Sequence, residues 1–268
     1  MTAVRFPVTL AIQPWFYDHA FGGRAVLPAV ETLRLLAATV KEYYPEIVVR
    51  HMTMARFARF LELPPETGSI KLMVECARED KGAIRAALFS RVRFKAMRRM
   101  IEHGRVFFPD TETVAHGENT ISTLPIKKIM KKISAKEIYT KLVPFGPAYQ
   151  TLTGTLFLST EEARGTLQAP SLPTTGPGTE LLGSPFPLDG ALHAACVHGQ
   201  QYVDFIPFPV GFGKRIIHKP TRPGKSYSTL ITARARTREE LLFDLKIFDE
   251  SEKICESVTG IRMRHVLF

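Results

Sequence analysis

Residues 18–44, DHAFGGRAVLPAVETLRLLAATVKEYY, begin with a polar and glycine-containing stretch and continue as a regular apolar pattern. The pattern predicts a helix from Pro28 to Tyr44, because apolar side chains recur there at steps of three and four residues. Pro28 suits the first turn of that helix, where a backbone N–H would have no partner within the helix. We therefore expect a long helix with one buried face and with His19 close to its entrance.

The flanking segments read as strands. A short apolar strand precedes the helix at 6–12, and long strand-like stretches follow it at 46–63, 69–80 and 82–97. Asp-Lys-Gly at 80–82 predicts a hairpin between the last two. This order favours an antiparallel sheet wrapped around a single helix.

The second half of the chain repeats the predicted arrangement of one long helix and an antiparallel sheet. A Gly/Pro-rich loop at 170–187 leads into a second apolar helix, predicted at 188–203. The strands predicted around it cover 151–160, 163–169, 206–218, 226–236 and 241–268, the last being a hairpin that turns near Asp249–Lys253. Residues 110–132 show neither the helical nor the strand spacing of apolar residues, and we interpret them as a linker. We therefore divide the chain into an N-terminal unit (1–109), this linker and a C-terminal unit (133–268).

Composition limits the function classes. The 268 residues are 45% hydrophobic, and no apolar run approaches the roughly 20 residues of a membrane span. We expect a globular protein without a membrane span and with a cytoplasmic location. The three cysteines lack the spacing of a zinc site or a disulfide framework. A net charge of +10 favours acidic partners, but the chain carries no motif of a nucleic-acid reader, so we expect no nucleic-acid partner.

Two polar residues stand at the predicted helix entrances, His19 before the first helix and Asp189 at the start of the second. An imidazole with a pKa near neutrality can accept a proton from carbon. A carboxyl surrounded by apolar neighbours can stay protonated and donate, and residues 186–188, Phe-Pro-Leu, are apolar. If the two entrances converge, the pair can transfer protons to and from adjacent atoms of one substrate.

Three segments resemble motifs of polyketide synthase dehydratase domains. HAFGGRAVLP (19–28) fits the HxxxGxxxxP motif, FGPAYQTL (145–152) is similar to the YGPxF segment, and PFPLDGALH (185–193) resembles the HPxxLDxxxQ/H segment. The segments at 208–224 and at the C-terminal end also look like the family, so the resemblance covers nearly the whole chain. Two positions depart from the motifs: Phe145 stands where tyrosine is usual, and Ser184 stands where histidine is usual.

The resemblance implies an α+β double-hotdog fold and a dehydratase that acts on a 3-hydroxyacyl chain carried as a thioester by acyl carrier protein. In that reading His19 removes the C2 proton and Asp189 protonates the departing C3 hydroxyl, leaving a 2-enoyl thioester. It also implies substrate-site positions at Gly23, whose neighbouring amide is a candidate to stabilise the thioester oxygen, and at Pro28, Phe145, Tyr149 and His193. The chemistry implies no metal or redox cofactor beyond the phosphopantetheine arm of the carrier. A homodimer or neighbouring synthase domains are further expected partners.

Other interpretations stay open. A similar His/Asp pair serves the aldol cyclisation of product-template domains, and a non-catalytic acyl-binding module could keep the fold without turnover. Asp189 could be a helix N-cap, and Arg24 could be a surface residue or meet the phosphate of the carrier arm. Basic runs at 95–99, 127–136 and 234–238 are candidate docking surfaces for an acidic carrier protein.

Overall fold

The computed structural model describes residues 3–94, 97–110, 130–172 and 177–266, and places both predicted long helices. The helices of the described residues are α1 Ala29–Tyr43, α2 Ala135–Glu137, α3 Pro177–Leu182 and α4 Phe186–Gly199. Pro28 stands at the N-cap of α1, directly before the first helical residue. The predictions for the two long helices are confirmed in place and type, although α4 begins and ends slightly earlier than the apolar pattern indicates.

The strands carry the residues that enclose the helices. Their bounds are β1 Val4–Ala11, β2 Ala20–Phe21, β3 Arg24–Ala25, β4 His51–Arg56, β5 Ser69–Arg78, β6 Ile84–Phe94, β7 Met97–Phe108, β8 Lys131–Ser134, β9 Leu152–Leu158, β10 Glu162–Gln168, β11 Phe208–Ile217, β12 Ser226–Arg236, β13 Glu240–Phe248 and β14 Ile254–Arg264. The hairpin turns predicted at 80–82 and near 249–253 are confirmed.

Twelve of the strands in the described residues form one sheet. Its order is β1-β5-β6-β7-β4-β11-β14-β13-β12-β10-β9-β8, and every neighbouring pair is antiparallel. The strands of the N-terminal half are contiguous in this order, and so are those of the C-terminal half. The halves meet where β4 pairs with β11, with Met52 opposite Arg215.

Each half wraps its sheet around one helix. α1 packs on β5, β6 and β7, whereas α4 packs on β9, β10, β12 and β13, and the two helices also contact each other. In α4 all residues except Leu192 are buried, because the sheet covers one side and the N-terminal half covers another. This arrangement is a double hotdog, and it confirms the expected α+β class.

Several segments differ from the predictions. The strand predicted at 46–63 is confirmed only over β4, and residues 46–50 and 57–63 lie outside it, although their mainly apolar character suggested a longer strand. β7 was not predicted, because charged residues interrupt its alternation, yet it pairs with β6 along nearly its whole length. Helix α3 occupies part of the loop predicted at 170–187.

The predicted linker at 110–132 falls mostly outside the described residues, which omit 111–129, but its end was predicted too late, because Lys131 and Lys132 already pair in β8. The division at 1–109 and 133–268 therefore stays a prediction, although the strand order is consistent with two units. Within the part of the chain that is described, no helix is both long and apolar enough to cross a membrane.

Candidate active site

His19 lies at the end of a short helical turn, Pro14–Asp18, and immediately before β2. Its Nδ1 lies 3.0 Å from the carbonyl oxygen of Val26, and the backbone N–H of Val26 donates to the carbonyl of His19. Because a carbonyl oxygen can only accept, Nδ1 carries the hydrogen and donates it. The lone pair of the neutral ring is therefore on Nε2, which is the basic nitrogen.

Aromatic rings surround the imidazole of His19. The ring of Phe145 stacks on it with a centroid distance of 4.3 Å, and the ring of Tyr149 meets it edge-on at 5.1 Å. This burial lowers the pKa of His19 to about 4, against a partly opposing effect of the Asp189 carboxylate. His19 is consequently neutral at physiological pH and able to accept a proton.

The segment 145–149 is bound to the residue that precedes His19. The backbone N–H of Ala148 donates to the Asp18 carboxylate at 2.8 Å, and the N–H of Gly146 donates to the Asp18 carbonyl at 2.7 Å. A Cβ atom at Gly146 would lie 2.5 Å from the Asp18 carboxylate, so only glycine permits this approach. These contacts hold the first two motif segments together.

Asp189 lies in the first turn of α4, and His193 follows one turn later on the same face of the helix. Asp189 Oδ2 and His193 Nε2 are 2.9 Å apart. The N-cap position belongs to Pro185, so the capping role considered for Asp189 is wrong. The ring of Phe145 lies 4.8 Å from that of His193 and thus contacts both histidines.

The protonation expected for Asp189 is not found in the free protein. Burial raises the pKa of its carboxyl, but the neighbouring His193, followed by His19, outweighs burial, so the pKa lies below its ordinary value. The apolar residues at 186–188 therefore do not keep Asp189 protonated. In the unliganded state the site pairs a neutral His19 with an ionised Asp189.

His19, Asp189 and His193 line one cavity of about 120 Å³. The convergence predicted for the two helix entrances is therefore confirmed. The loop after β4 (57–61) forms one wall, and residues 206–210 form another, so each half of the chain contributes. The wall is largely apolar and aromatic; its phenylalanines are Phe21, Phe57, Phe60, Phe145 and Phe208.

Three predicted substrate-site residues lie outside this wall. Gly23 occupies an exposed turn between β2 and β3 and has a φ of 77°. Pro28 caps α1, and the fully buried Tyr149 packs behind His19. Only Tyr149, through its contact with His19, adjoins the site directly, and the structure gives no support to an amide near Gly23 as the group that stabilises the thioester.

Most residues of the wall were not predicted to belong to the site, and two of them, His103 and Cys196, carry groups that could take part in chemistry. His103 lies on β7. Its Nε2 is 2.7 Å from the Ser90 hydroxyl, and its Nδ1 is 3.2 Å from the carbonyl oxygen of Phe60. This histidine therefore anchors the loop that closes the cavity. Cys196 also faces the cavity, and burial raises the pKa of its thiol to about 12, so it is not a thiolate nucleophile.

The described residues contain no cluster of three or more His, Cys, Asp and Glu side chains placed to hold a metal ion.

Family models match both halves of the chain. A model described as polyketide synthase dehydratase N-terminal domain matches residues 125–267, and one described as polyketide synthase dehydratase domain matches residues 2–91. A search of curated protein sequences gives no significant match.

Solved structures are similar over almost the full length. A trans-AT polyketide synthase dehydratase domain from Brevibacillus brevis has 19% sequence identity and a TM-score of 0.77, with 99% of this chain and 94% of that chain covered. The dehydratase domain from the CurJ module of the curacin polyketide synthase has 16% identity and a TM-score of 0.76, with coverage of 98% and 91%. A bifunctional dehydratase-cyclase domain from ambruticin biosynthesis has 17% identity and a TM-score of 0.71, with coverage of 99% and 92%.

These structures share the double-hotdog fold, and the family match covers more than half of the chain in one model alone. The chain therefore belongs to the polyketide synthase dehydratase family, whose members are hydro-lyases that remove water from 3-hydroxyacyl intermediates.

Proposed function

We propose that His19 and Asp189 carry out the dehydration, with His19 as the base at C2 and Asp189 as the acid at the C3 hydroxyl. The observation that carries this proposal is that both side chains line one largely apolar cavity although they come from different halves of the chain. Elimination needs a base and an acid at adjacent carbons of one substrate, and a shared cavity satisfies that requirement.

The state of His19 supports its role as the base. Its ring is neutral because of burial, and Nδ1 is engaged by the Val26 carbonyl, so Nε2 remains to take the C2 proton. The hydrogen bond to Val26 also stabilises the imidazolium that forms, since Nδ1 keeps its hydrogen and its acceptor throughout.

Asp189 must gain a proton before it can act as the acid. Burial is the contribution that raises the pKa of Asp189, and the carboxyl is already buried in the free protein. In the substrate complex the carboxyl carries a proton taken up from solvent, and this proton goes to the hydroxyl that leaves as water. His193 orients the carboxyl from one helical turn away.

The substrate is a 3-hydroxyacyl thioester on the phosphopantetheine arm of an acyl carrier protein, and the reaction uses no further cofactor. Membership of the family supports a carrier protein and neighbouring synthase domains as partners. We also propose a cytoplasmic location and a homodimer. The aldol cyclisation considered above has no specific support in the cavity described here.

The test is turnover of a 3-hydroxyacyl N-acetylcysteamine thioester, followed by mass spectrometry for the loss of water. We expect His19→Ala and Asp189→Asn each to lower kcat by at least a hundredfold, since each removes one proton-transfer group. His218→Ala is the control, because His218 lies on the surface near Ser257. Wild-type rates in either site variant would disprove the role of that residue.

A further inference from the structure

A chain of buried polar atoms runs from the backbone of β9 to the Asp189 carboxylate. The backbone N–H of Leu152 donates to the hydroxyl oxygen of Tyr139 at 2.8 Å. That hydroxyl lies 3.2 Å from His193 Nδ1, and His193 Nε2 lies 2.9 Å from Asp189 Oδ2. Tyr139, His193 and Asp189 are all buried, so water does not compete for these groups.

The direction of the chain follows from its first member. A backbone amide can only donate, so the Tyr139 oxygen accepts from Leu152 and its own hydrogen is free for another acceptor. Two groups lie near that hydrogen, His193 Nδ1 at 3.2 Å and the hydroxyl of Thr151, and the contact with His193 is the one with hydrogen-bond geometry. Burial raises the pKa of the Tyr139 hydroxyl, which therefore keeps its hydrogen at every working pH.

We propose that Tyr139 is a positioning residue for the dehydration: its hydroxyl fixes His193 as the tautomer with hydrogen on Nε2 and thereby orients Asp189. This inference rests on the proposed role of Asp189 as the acid. A neutral imidazole carries one hydrogen, so occupation of Nδ1 as an acceptor places that hydrogen on the nitrogen that faces the carboxylate. Asp189 Oδ2 then meets a donor, and the other carboxylate oxygen is left for the C3 hydroxyl.

The opposite tautomer would disable the site. With hydrogen on Nδ1, the lone pair of His193 Nε2 would face a carboxylate oxygen at 2.9 Å and repel it. Asp189 could relieve the repulsion only by donating its proton to His193 instead of to the substrate. The two atoms lie 2.9 Å apart without good hydrogen-bond alignment, and neither has another partner in the described part of the chain, so their orientation depends on the tautomer of His193.

The backbone around Tyr139 forms a π-helical turn instead of an α-helical one. Residues Ile138–Leu142 form a wide helical turn in which the N–H of Val143 donates to the carbonyl of Ile138. Such turns contain one residue more than an α-helical turn and occur often at functional sites. None of the three motif segments includes Tyr139, so only the structure associates it with Asp189.

The experiment combines kinetics with a direct reading of the tautomer. In wild-type protein, 15N NMR of selectively labelled histidine should show His193 with hydrogen on Nε2. Tyr139→Phe should produce a mixture of tautomers and lower kcat for the N-acetylcysteamine thioester by roughly ten- to a hundredfold, as loss of a supporting hydrogen bond does elsewhere. KM should change less than about twofold, because the hydroxyl does not contact substrate.

Tyr227→Phe is the matched control. The hydroxyl of Tyr227 also accepts a backbone N–H, from Arg222 at 2.7 Å, but it lies outside the cavity wall. This variant should keep the His193 signals and the wild-type kcat. If Tyr227→Phe lowered kcat as much as Tyr139→Phe, the effect would come from the loss of any buried tyrosine hydroxyl, and the positioning role of Tyr139 would be excluded.

His193→Gln separates positioning from damage to the fold, since Tyr139→Phe also leaves the Leu152 amide without its partner. A glutamine amide donates to Asp189 without a choice of tautomer, so adding Tyr139→Phe to His193→Gln should lower kcat less than about threefold. An equal loss in both backgrounds, or a wild-type His193 with hydrogen on Nδ1, would overturn the proposal. The tautomer is read without turnover, so a failure of the dehydratase assignment would be recognised separately by absent wild-type activity.

Discussion

The buried imidazole of His19 connects chemistry and stability at the scale of single residues. The same burial that keeps Nε2 unprotonated also makes protonation unfavourable in the folded protein. The unfolded chain has no such penalty, and its histidine titrates near the ordinary value of 6.5. Stability must therefore depend on pH through this residue.

We expect stability to fall with pH between about 6.5 and 4 because of His19. The folded pKa is about 4 and the unfolded value is 6.5, so in this window the unfolded chain binds a proton that the folded protein does not. The stabilisation is complete above pH 6.5, and about 3 kcal/mol is lost by pH 4. Urea unfolding of wild type and His19→Phe should show the wild type losing that amount relative to the variant. Parallel pH dependences in the two proteins would contradict the prediction.

At the scale of elements, the site depends on the contact between the turn Pro14–Asp18 and the segment 145–149. Two backbone amides of the second element bind Asp18 in the first, and Phe145 then lies against His19. The contact brings together residues from the two halves of the chain. It therefore fixes the distance between the base and the aromatic wall on which the substrate must rest.

Gly146→Ala should disrupt this contact. The new methyl group would lie 2.5 Å from the Asp18 carboxylate, so the segment must move away. We expect a loss of about 1–3 kcal/mol of stability, measured by urea unfolding, and at least a tenfold loss of kcat. Gly68→Ala is the control, because its Cβ would meet nothing within 4 Å. Wild-type kcat in Gly146→Ala would show that the contact does not position the site.

At the scale of the whole molecule, the net charge of +10 is compatible with an acidic carrier protein, but the predicted docking runs are not equally available. In the run 234–238, Arg234 pairs with Asp244 and Arg236 lies over the ring of Tyr202. The runs at 95–99 and 127–136 fall partly outside the described residues. Arg24, a candidate for the phosphate of the carrier arm, pairs with Glu62 at 3.1 Å.

Arg59 is a better candidate for that phosphate. It is exposed, it lines the cavity, and its guanidinium has no ion-pair partner in the described part of the chain. Arg59→Gln should raise KM several-fold for carrier-bound and phosphopantetheine thioesters at low salt, because an exposed charge attracts an anion within the screening length of about 8–10 Å. Steady-state kinetics with the N-acetylcysteamine thioester, which has no phosphate, should be unchanged.

Arg238→Gln is the control for that prediction, since Arg238 is an exposed arginine of the run 234–238 outside the cavity wall. Added salt should weaken turnover of the carrier-bound substrate in wild type more than in Arg59→Gln. Equal KM changes for the thioesters with and without phosphate would exclude Arg59 as the phosphate contact.

The sequence by itself determined the two long helices and the tight hairpins, and it singled out His19 and Asp189 as the candidate site pair. These features depend on local periodicity, on turn residues, or on motifs that keep their spacing, and each of them can be recognised within a short window. The prediction that His19 and Asp189 share one site came from their places at the two helix entrances and from the motif resemblance, and both side chains line one cavity.

Only the tertiary structure decided the remaining properties of the site. The apolar residues at 57–61 line the cavity and do not extend a strand, a distinction that a linear pattern cannot make. The pKa of Asp189 lies below its ordinary value because the neighbouring His193 outweighs burial, and the hydroxyl of Tyr139, which lies outside the three motifs, contacts His193. These properties depend on the three-dimensional positions of side chains, because distances of a few ångströms decide the pKa of a buried group and the partner of a hydrogen bond.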